Sequence, residues 1–226
     1  MNSSSHIIAI DGPAGSGKST TARLVARKLG FIFLDTGAMY RTITLLALEN
    51  KIALSDEAEL TELSGNTKIE FRDEADGQKV FANGRDVSQA IRTNEVTSAV
   101  SEVSAHAGVR EILVAKQMEI GANNNIVAEG RDTTSVVFPQ ATLKVYLIAS
   151  IEARARRRIL DFERMGKVTT LEEQIKKIEA RDKYDSGREN SPLTQTLDSV
   201  LIDTSELTIE GQVDKIIQLY KEKISR

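Results

Sequence analysis

Residues 12–19 read Gly-Pro-Ala-Gly-Ser-Gly-Lys-Ser, the spacing G-x-x-x-x-G-K-[ST]. That order of residue types suits one task, the holding of a chain of phosphates. Glycines let a backbone wrap closely around an anion with its N–H groups turned inward, and the lysine carries positive charge to the far phosphates. The serine that follows offers a hard oxygen of the kind Mg2+ takes. The pattern works only between a strand and a helix, whose N-terminal N–H groups and partial positive charge complete the anion site. Both flanks are predicted here. Residues 7–10 are a short apolar run, and residues 18–29 place Ala22, Val25 and Leu29 on one helical face. Gly12, Pro13, Ala14, Gly15, Ser16, Gly17, Lys18, Ser19 and Thr20 are therefore assigned to a nucleoside triphosphate, with Lys18 following the migrating charge and Ser19 on the metal. A glycine-rich turn without a ligand is the structural alternative, and it leaves the correct flanking elements unexplained.

A triphosphate site alone does not separate a kinase from a GTPase switch or an ATP-driven machine. No base-reading N-K-x-D is evident, and Ile126-Val127-Ala128-Glu129 is a weak version of the apolar strand ending in an acid that ATP-driven machines carry. A small-molecule kinase is left in front. Joining Mg·ATP to a phosphate-bearing acceptor brings about four negative charges together, which electrostatics must hold. With 30 Lys+Arg against 33 Asp+Glu, the net charge is −3, so the compensating cations have to be concentrated. They are: Arg154, Arg156, Arg157, Arg158 and Arg164 fall on one predicted helix, with Arg181 and Arg188 beyond. Arg154 and Arg158 share a helical face, as do Arg181 and Asp185 if that helix continues. The planar guanidinium donates two hydrogen bonds at once to a phosphate. A solvated basic face balanced by Glu152, Asp161 and Glu163 is the alternative, strongest for Arg156, Arg157 and Arg164.

These residues need a scaffold of alternating strands and helices. Apolar runs at 7–10, 31–34, 126–128, 143–148 and 200–202, separated by helical sequence, predict a parallel sheet covered on both faces. A helix is expected over 38–49. Residues 68–72, 78–82 and 85–87, punctuated by Asp76-Gly77 and Asn83-Gly84, read instead as a small antiparallel sheet inserted into this α/β host. The stretch 151–190 is polar and arginine-rich, broken at Gly166 and restarted by the capping box Thr170-x-x-Glu173, as two helices of a movable flap would be. The expected organisation is a core at 1–61, an insert at 62–105, core again at 106–150, a lid at 151–190 and a core end at 191–226. The tracts Ser3–Ser5 and Asn123–Asn125 are taken as an end and a loop.

Composition limits the alternatives. A hydrophobic fraction of 40% with 28% charged residues belongs to a globular chain and excludes disorder and fibrous classes. Aromatic residues at 4% and the absence of net positive charge give no platform for polymeric nucleic acid. Cysteine is absent, and the two histidines, His6 and His106, are far apart, so thiolate sites, metal clusters and Ser-His-Asp triads lack material. No apolar run approaches the ~18 residues of a membrane span, and the N-terminus has no basic leader, so a cytoplasmic, monomeric protein with no membrane partner is expected.

Taken together the residues resemble the bacterial cytidylate kinase family. The loop GPAGSGKST is followed by Asp35-Thr36-Gly37-Ala38-Met39-Tyr40-Arg41, by Ile91-Arg92 ahead of a helix carrying Ser101, and by Val109-Arg110. Then comes Glu129-Gly130-Arg131-Asp132, leading to Val136-Val137-Phe138-Pro139. The loop is shared by many enzymes, whereas its combination with DTGAMYR and GRD...VVFP is specific and covers nearly the whole chain. The resemblance implies transfer of the ATP γ-phosphate to CMP or dCMP, with Mg2+, giving ADP and CDP or dCDP. It implies a P-loop kinase fold of core, inserted antiparallel-sheet nucleoside monophosphate domain and helical lid. It also implies that Arg41, Arg131 and Arg188 grip the acceptor phosphate, with Thr36 and Tyr40 in that site. Ser101, Arg110 and Asp132 would read cytosine, and Arg181 and Asp185 would meet the sugar hydroxyls. Arg154 and Arg158 would close from the lid over the phosphates, and Glu129 would meet Mg2+ through water. The catalytic set is then Lys18, Arg131, Arg154, Arg158 and Arg188.

Chemistry supports the base assignment. Cytosine offers an amino donor at N4 with acceptors at N3 and O2, which one carboxylate and one guanidinium complement, whereas uracil reverses the polarity at position 4. A structural Asp132–Arg110 pair is the alternative, as a plain strand-end acid is for Glu129. No general base is required, because a phosphate acceptor with its second pKa near ~6 is already ionised at neutral pH. One departure stands out: the family commonly reads GRD-x-G-T, and this chain has Thr133-Thr134-Ser135. If the Gly position has positive φ, Thr134 is strained and the loop behind Asp132 differs. Competing readings are another small kinase acting on UMP, AMP or shikimate, and a regulatory module that binds ATP without turnover.

Overall fold

The computed structural model describes residues 5–74, 77–164 and 166–225. The chain divides into two compact units, one comprising residues up to Phe33 and from Gly121 onward, the other Leu34–Ile120.

The first unit is built on a five-stranded parallel sheet. Strand β1 is Ile7–Asp11, helix α1 Lys18–Leu29 and strand β2 Ile32–Asp35, whose last two residues begin the second unit. After the second unit come β6 (Ile126–Gly130), β7 (Leu143–Ile148), α6 (Ile151–Arg164), α7 (Leu171–Gly187), β8 (Val200–Asp203) and α8 (Ile209–Ile224). The strand order is β2-β6-β1-β7-β8. Strand β1 is therefore central, with Asp11 level with Gly130 on one side and Tyr146 on the other. Strands buried on both faces read as continuous apolar runs, which is why they were visible in the sequence. Ile8, Ile10, Val127, Val145, Leu147 and Ile202 are buried in one core with Val25 of α1 and Ile216 of α8. His6 packs edge-on against Tyr220, with ring centres 5.7 Å apart, a structural role.

The second unit holds α2 (Thr36–Glu49), α3 (Glu57–Asn66), the antiparallel strands β3 (Ile69–Glu74), β4 (Gly77–Ala82) and β5 (Arg85–Asp86), then α4 (Asn94–Val103) and α5 (Ala107–Ala122), whose last turn enters the first unit. Its core gathers Ala38, Leu45, Val80, Ala82, Val87, Ile91 and Val96. Asn83 and Gly84 both have positive φ, 50° and 83°, the conformation a tight hairpin demands of its two central residues. The Asp76-Gly77 turn read from sequence lies partly on residues 75 and 76, and the tract 3–5 partly on 3 and 4; both fall largely outside the described residues. His106 bonds through Nε2 to the Leu54 carbonyl at 2.7 Å, again a structural role.

Candidate active site

The phosphate loop leaves the carboxyl end of the central strand, where open α/β sheets place their ligands. Its first glycine is obligatory. Gly12 has φ 149°, and a Cβ there would stand 2.1 Å from the Leu147 carbonyl oxygen, so no side chain fits between β1 and β7. Gly17, at φ 94°, caps α1 in the left-handed region, which aims the first-turn N–H groups into the loop. Lys18 is buried and donates from Nζ to the Pro13 carbonyl at 2.8 Å, bridging the two ends of the loop. Burial pulls its pKa down to about 7, helped by Arg131 and opposed by Glu129 and Asp11. Ser19 Oγ donates to Glu129 Oε1 at 2.6 Å. The two residues assigned to Mg2+ thus meet, and they are hard oxygen donors. Among the described residues no group of three or more His, Asp or Glu side chains is placed to hold a metal ion.

Next to the loop, α6 is engaged more deeply than its polar sequence suggested. Arg154 is buried; its Nε donates to the Ala149 carbonyl at 3.1 Å and its Nη1 to the Ala14 carbonyl at 3.2 Å and to Asp182 of α7. The other Asp182 oxygen accepts from the Ala14 N–H at 3.4 Å. Arg157 is equally committed, donating to the Gly15 carbonyl at 3.3 Å and to the Thr204 hydroxyl at 3.2 Å, while that hydroxyl donates to the Ser16 carbonyl. The solvated-face alternative therefore fails for Arg157. It holds for Arg156 and Arg164, which are exposed. Arg158 is partly exposed, with Nη1 3.9 Å from Asp161.

A second cationic cluster surrounds Asp185. Arg131 Nε donates to Asp185 Oδ2 at 2.8 Å, Arg181 Nε lies 3.9 Å from the same oxygen, and Arg188 Nε donates to the Asp185 carbonyl at 3.4 Å. Burial raises the pKa of Asp185, but Arg131, Arg181 and Arg188 outweigh it and hold the carboxyl below its ordinary value. Helix α7 continues through Gly187, so the expected Arg181–Asp185 face exists.

The turn after β6 corrects one expectation. Among the described residues only Lys51, Asn83 and Ser191 are non-glycines with positive φ, so Thr134 is unstrained. Residues 133–137 form a single π-helical turn begun by Asp132. Thr133 and Thr134 each donate both N–H and hydroxyl to Asp11, at 2.7 to 3.0 Å. Sequence reasoning does not reach Asp11, Asp182 and Thr204 as site residues, since only pairing across more than a hundred residues, with Thr133 and Thr134, with Ala14 and with Ser16 respectively, reveals them.

In the second unit, Asp35 caps α2 by accepting from the Ala38 N–H at 2.8 Å and takes Arg41 Nη2 at 2.8 Å and Arg92 at 3.6 Å. Burial pushes its pKa up, and the two guanidiniums with the Ala38 N–H bring it below the usual value. Thr36 begins that helix and is buried. Arg110 is buried, donates to the Ser104 carbonyl at 3.2 Å and stands 5.4 Å from the Tyr40 ring centre. Ser101, half-buried, accepts at its carbonyl from the Ser104 hydroxyl. Tyr40, Arg41, Ser101 and Arg110 thus fall in this unit, and Asp132 in the other.

The profile of the cytidylate kinase family matches residues 8–222. A cytidylate kinase of Lysinibacillus sphaericus is 48% identical over 96% of this chain and 97% of that protein. One from Bacillus subtilis is 46% identical over 96% of both. A solved structure of an uncharacterized protein from Eubacterium ventriosum, 10% identical, covers 96% of this chain and 98% of that one at a TM-score of 0.55, a likeness of fold alone.

Proposed function

The chain belongs to the cytidylate kinase family of nucleoside monophosphate kinases, and from that premise we propose that it transfers the terminal phosphoryl group of Mg·ATP to CMP and dCMP. The observation that carries this reading is the gathering of Arg131, Arg181 and Arg188 around Asp185, the first two at its carboxylate and the third at its main-chain carbonyl, in the unit that also holds the phosphate loop. Such a cluster of guanidiniums, two of which act on Lys18 of the loop, suits a second phosphate rather than a neutral hydroxyl acceptor. A module that only binds ATP has no use for it.

In this reading residues 12–20 hold the ATP phosphates and Lys18 donates to the charge that migrates with the transferred group. Arg154 and Arg158 neutralise the phosphates from α6. Arg41, Arg131 and Arg188, with Thr36 and Tyr40, bind the acceptor phosphate, and Arg181 and Asp185 its sugar. Ser101, Arg110 and Asp132 read the base. Ser19 and, through water, Glu129 would hold Mg2+, which supplies charge neutralisation on the phosphates when bound. No residue takes a proton, because the attacking oxygen is already ionised. Small-molecule nucleotides are the partners, and a monomer in the cytoplasm serving pyrimidine nucleotide supply is the setting.

The test is ADP release from Mg·ATP with CMP, dCMP, UMP and AMP, in the native protein and in Asp132→Asn. CMP and dCMP should be the preferred acceptors. An amide can rotate to donate to uracil O4, so the variant should lose CMP activity and shift the CMP/UMP ratio of kcat/KM by about 10–100-fold, the worth of one charged hydrogen bond. Equal losses on both bases would make Asp132 a structural partner, and turnover preferring AMP or UMP in the native protein would replace the substrate reading.

A further inference from the structure

Asp11 is fully buried at the end of the central strand, one residue before the phosphate loop, and the proposed chemistry gives it no role. It accepts four hydrogen bonds, all from the next two residues of the turn that carries Arg131 and Asp132. The Thr133 N–H and hydroxyl reach Oδ1 at 3.0 and 2.7 Å, and the Thr134 N–H and hydroxyl reach Oδ2, both at 2.7 Å. Each oxygen thus receives one main-chain and one side-chain donor. The turn itself is an uncommon one. Val137 N–H reaches back to the Asp132 carbonyl at 3.2 Å and Phe138 N–H to the Thr133 carbonyl at 2.8 Å, five residues apart in each case. Such π turns occur in short pieces, frequently at functional sites, and need support from outside themselves.

We propose that the Thr134 hydroxyl is a positioning residue for acceptor recognition: with Asp11 it pins the π turn so that Arg131 and Asp132, immediately ahead of it, are presented in one fixed geometry. The proposal rests on the reading that those two residues meet the acceptor. Its direction follows from which partner can give way. Strand β1 is hydrogen-bonded to β6 on one side and β7 on the other, so Asp11 is the fixed member. The turn is held to the sheet by these four bonds, and losing the Thr134 hydroxyl leaves a buried carboxylate short of a donor, a deficit the turn relieves by moving. The acceptor side therefore changes, while the phosphate loop on the strand's own end stays.

The experiment compares Thr134→Val, nearly isosteric but without the donor, and Thr134→Ser, which keeps it, by measuring KM and kcat for CMP and for ATP together with thermal midpoints. The valine variant should lose about 10-fold in kcat/KM for CMP with KM for ATP within about 2-fold of native, and serine should restore native values. Thr134→Ala gives the same readout if the valine variant does not fold. CMP constants that remain native whatever the melting temperature, or CMP and ATP constants that shift together, would overturn the proposal, as would failure of both donor-free variants to fold. Native protein that turns over CMP while Thr134→Val is unchanged sinks this inference alone; native protein inactive on CMP sinks the functional reading beneath it.

Discussion

At the scale of single residues, Lys18 carries the most distinctive electrostatics. Burial and the nearby Arg131 bring its pKa down to about 7, against about 10.4 for a free lysine. Between those values the unfolded chain binds more protons than the folded one, so burying the ammonium opposes folding below about pH 7 and this opposition fades as pH rises toward 10. Function runs the other way. Bringing phosphate anions to Nζ favours the ammonium, so nucleotide binding above pH 7 draws in a proton. At about pH 8.5, where the phosphates are fully ionised, calorimetric titration with ATP in buffers of differing ionisation enthalpy should show uptake approaching one proton, and affinity should fall as pH rises from about 7 to about 9. Lys18→Met should abolish the uptake and weaken binding. Uptake surviving in that variant would assign the titration to another group.

At the scale of elements, sequence periodicity located most of the architecture and misjudged one relationship. Helix α1 was legible because Ala22, Val25 and Leu29 keep one face, and the start of α7 because Thr170 and Glu173 form a capping box that the structure contains. Strand β6 was legible only to Ala128, since its last two residues, Glu129 and Gly130, carry polarity and flexibility that belong to the site rather than to the sheet. The loop and the arginines between 154 and 188 could be named because their types announce phosphate chemistry, whereas Arg41, Arg131 and the base-side residues could be named only through the resemblance of their motifs to the cytidylate kinase family. The Asp11 clamp could not, because a lone aspartate at a strand end looks the same whether it faces water or four donors. Arg154 and Arg158 read as equivalent from their spacing, and the structure separates them. Arg154 is locked to Ala14, Ala149 and Asp182, whereas Arg158 is partly exposed on α6. Arg154→Ala should therefore raise KM for ATP by about 10-fold or more, because Asp182 is left beside the Ala14 N–H without its cation. It should also lower stability by on the order of 2 kcal/mol, roughly 4–8 °C for a chain of this size. Arg158→Ala, at a partly exposed side chain, should lower the melting temperature less than Arg154→Ala does and act on kcat, as a group that closes over bound phosphates would. Matching effects from both variants would restore the equivalence.

At the scale of the whole molecule, a chain of net charge −3 handles several phosphates by sorting its cations rather than by being basic. One unit concentrates Lys18, Arg131, Arg154, Arg157, Arg181 and Arg188; the other holds Arg41 and Arg92 on Asp35, and Arg110 beside Tyr40. The sequence orders these differently from the fold, since the first unit is interrupted by the second, so a ligand confined to one set should leave a footprint that is discontinuous along the chain. Hydrogen exchange reads this, because a bound ligand suppresses most strongly the local openings that would break its own contacts. A non-hydrolysable ATP analogue should slow exchange in peptides covering 12–20 and 152–158, and leave 36–41 and 101–110 near their free rates. CMP alone should slow 36–41 and 101–110, together with 131–138 through the Asp11-anchored turn. Protection of 12–20 by CMP at concentrations that leave 101–110 unprotected would exchange the donor and acceptor assignments. Protection of 36–41 and 101–110 without 131–138 would detach Asp132 from the acceptor while leaving the phosphate loop's role intact.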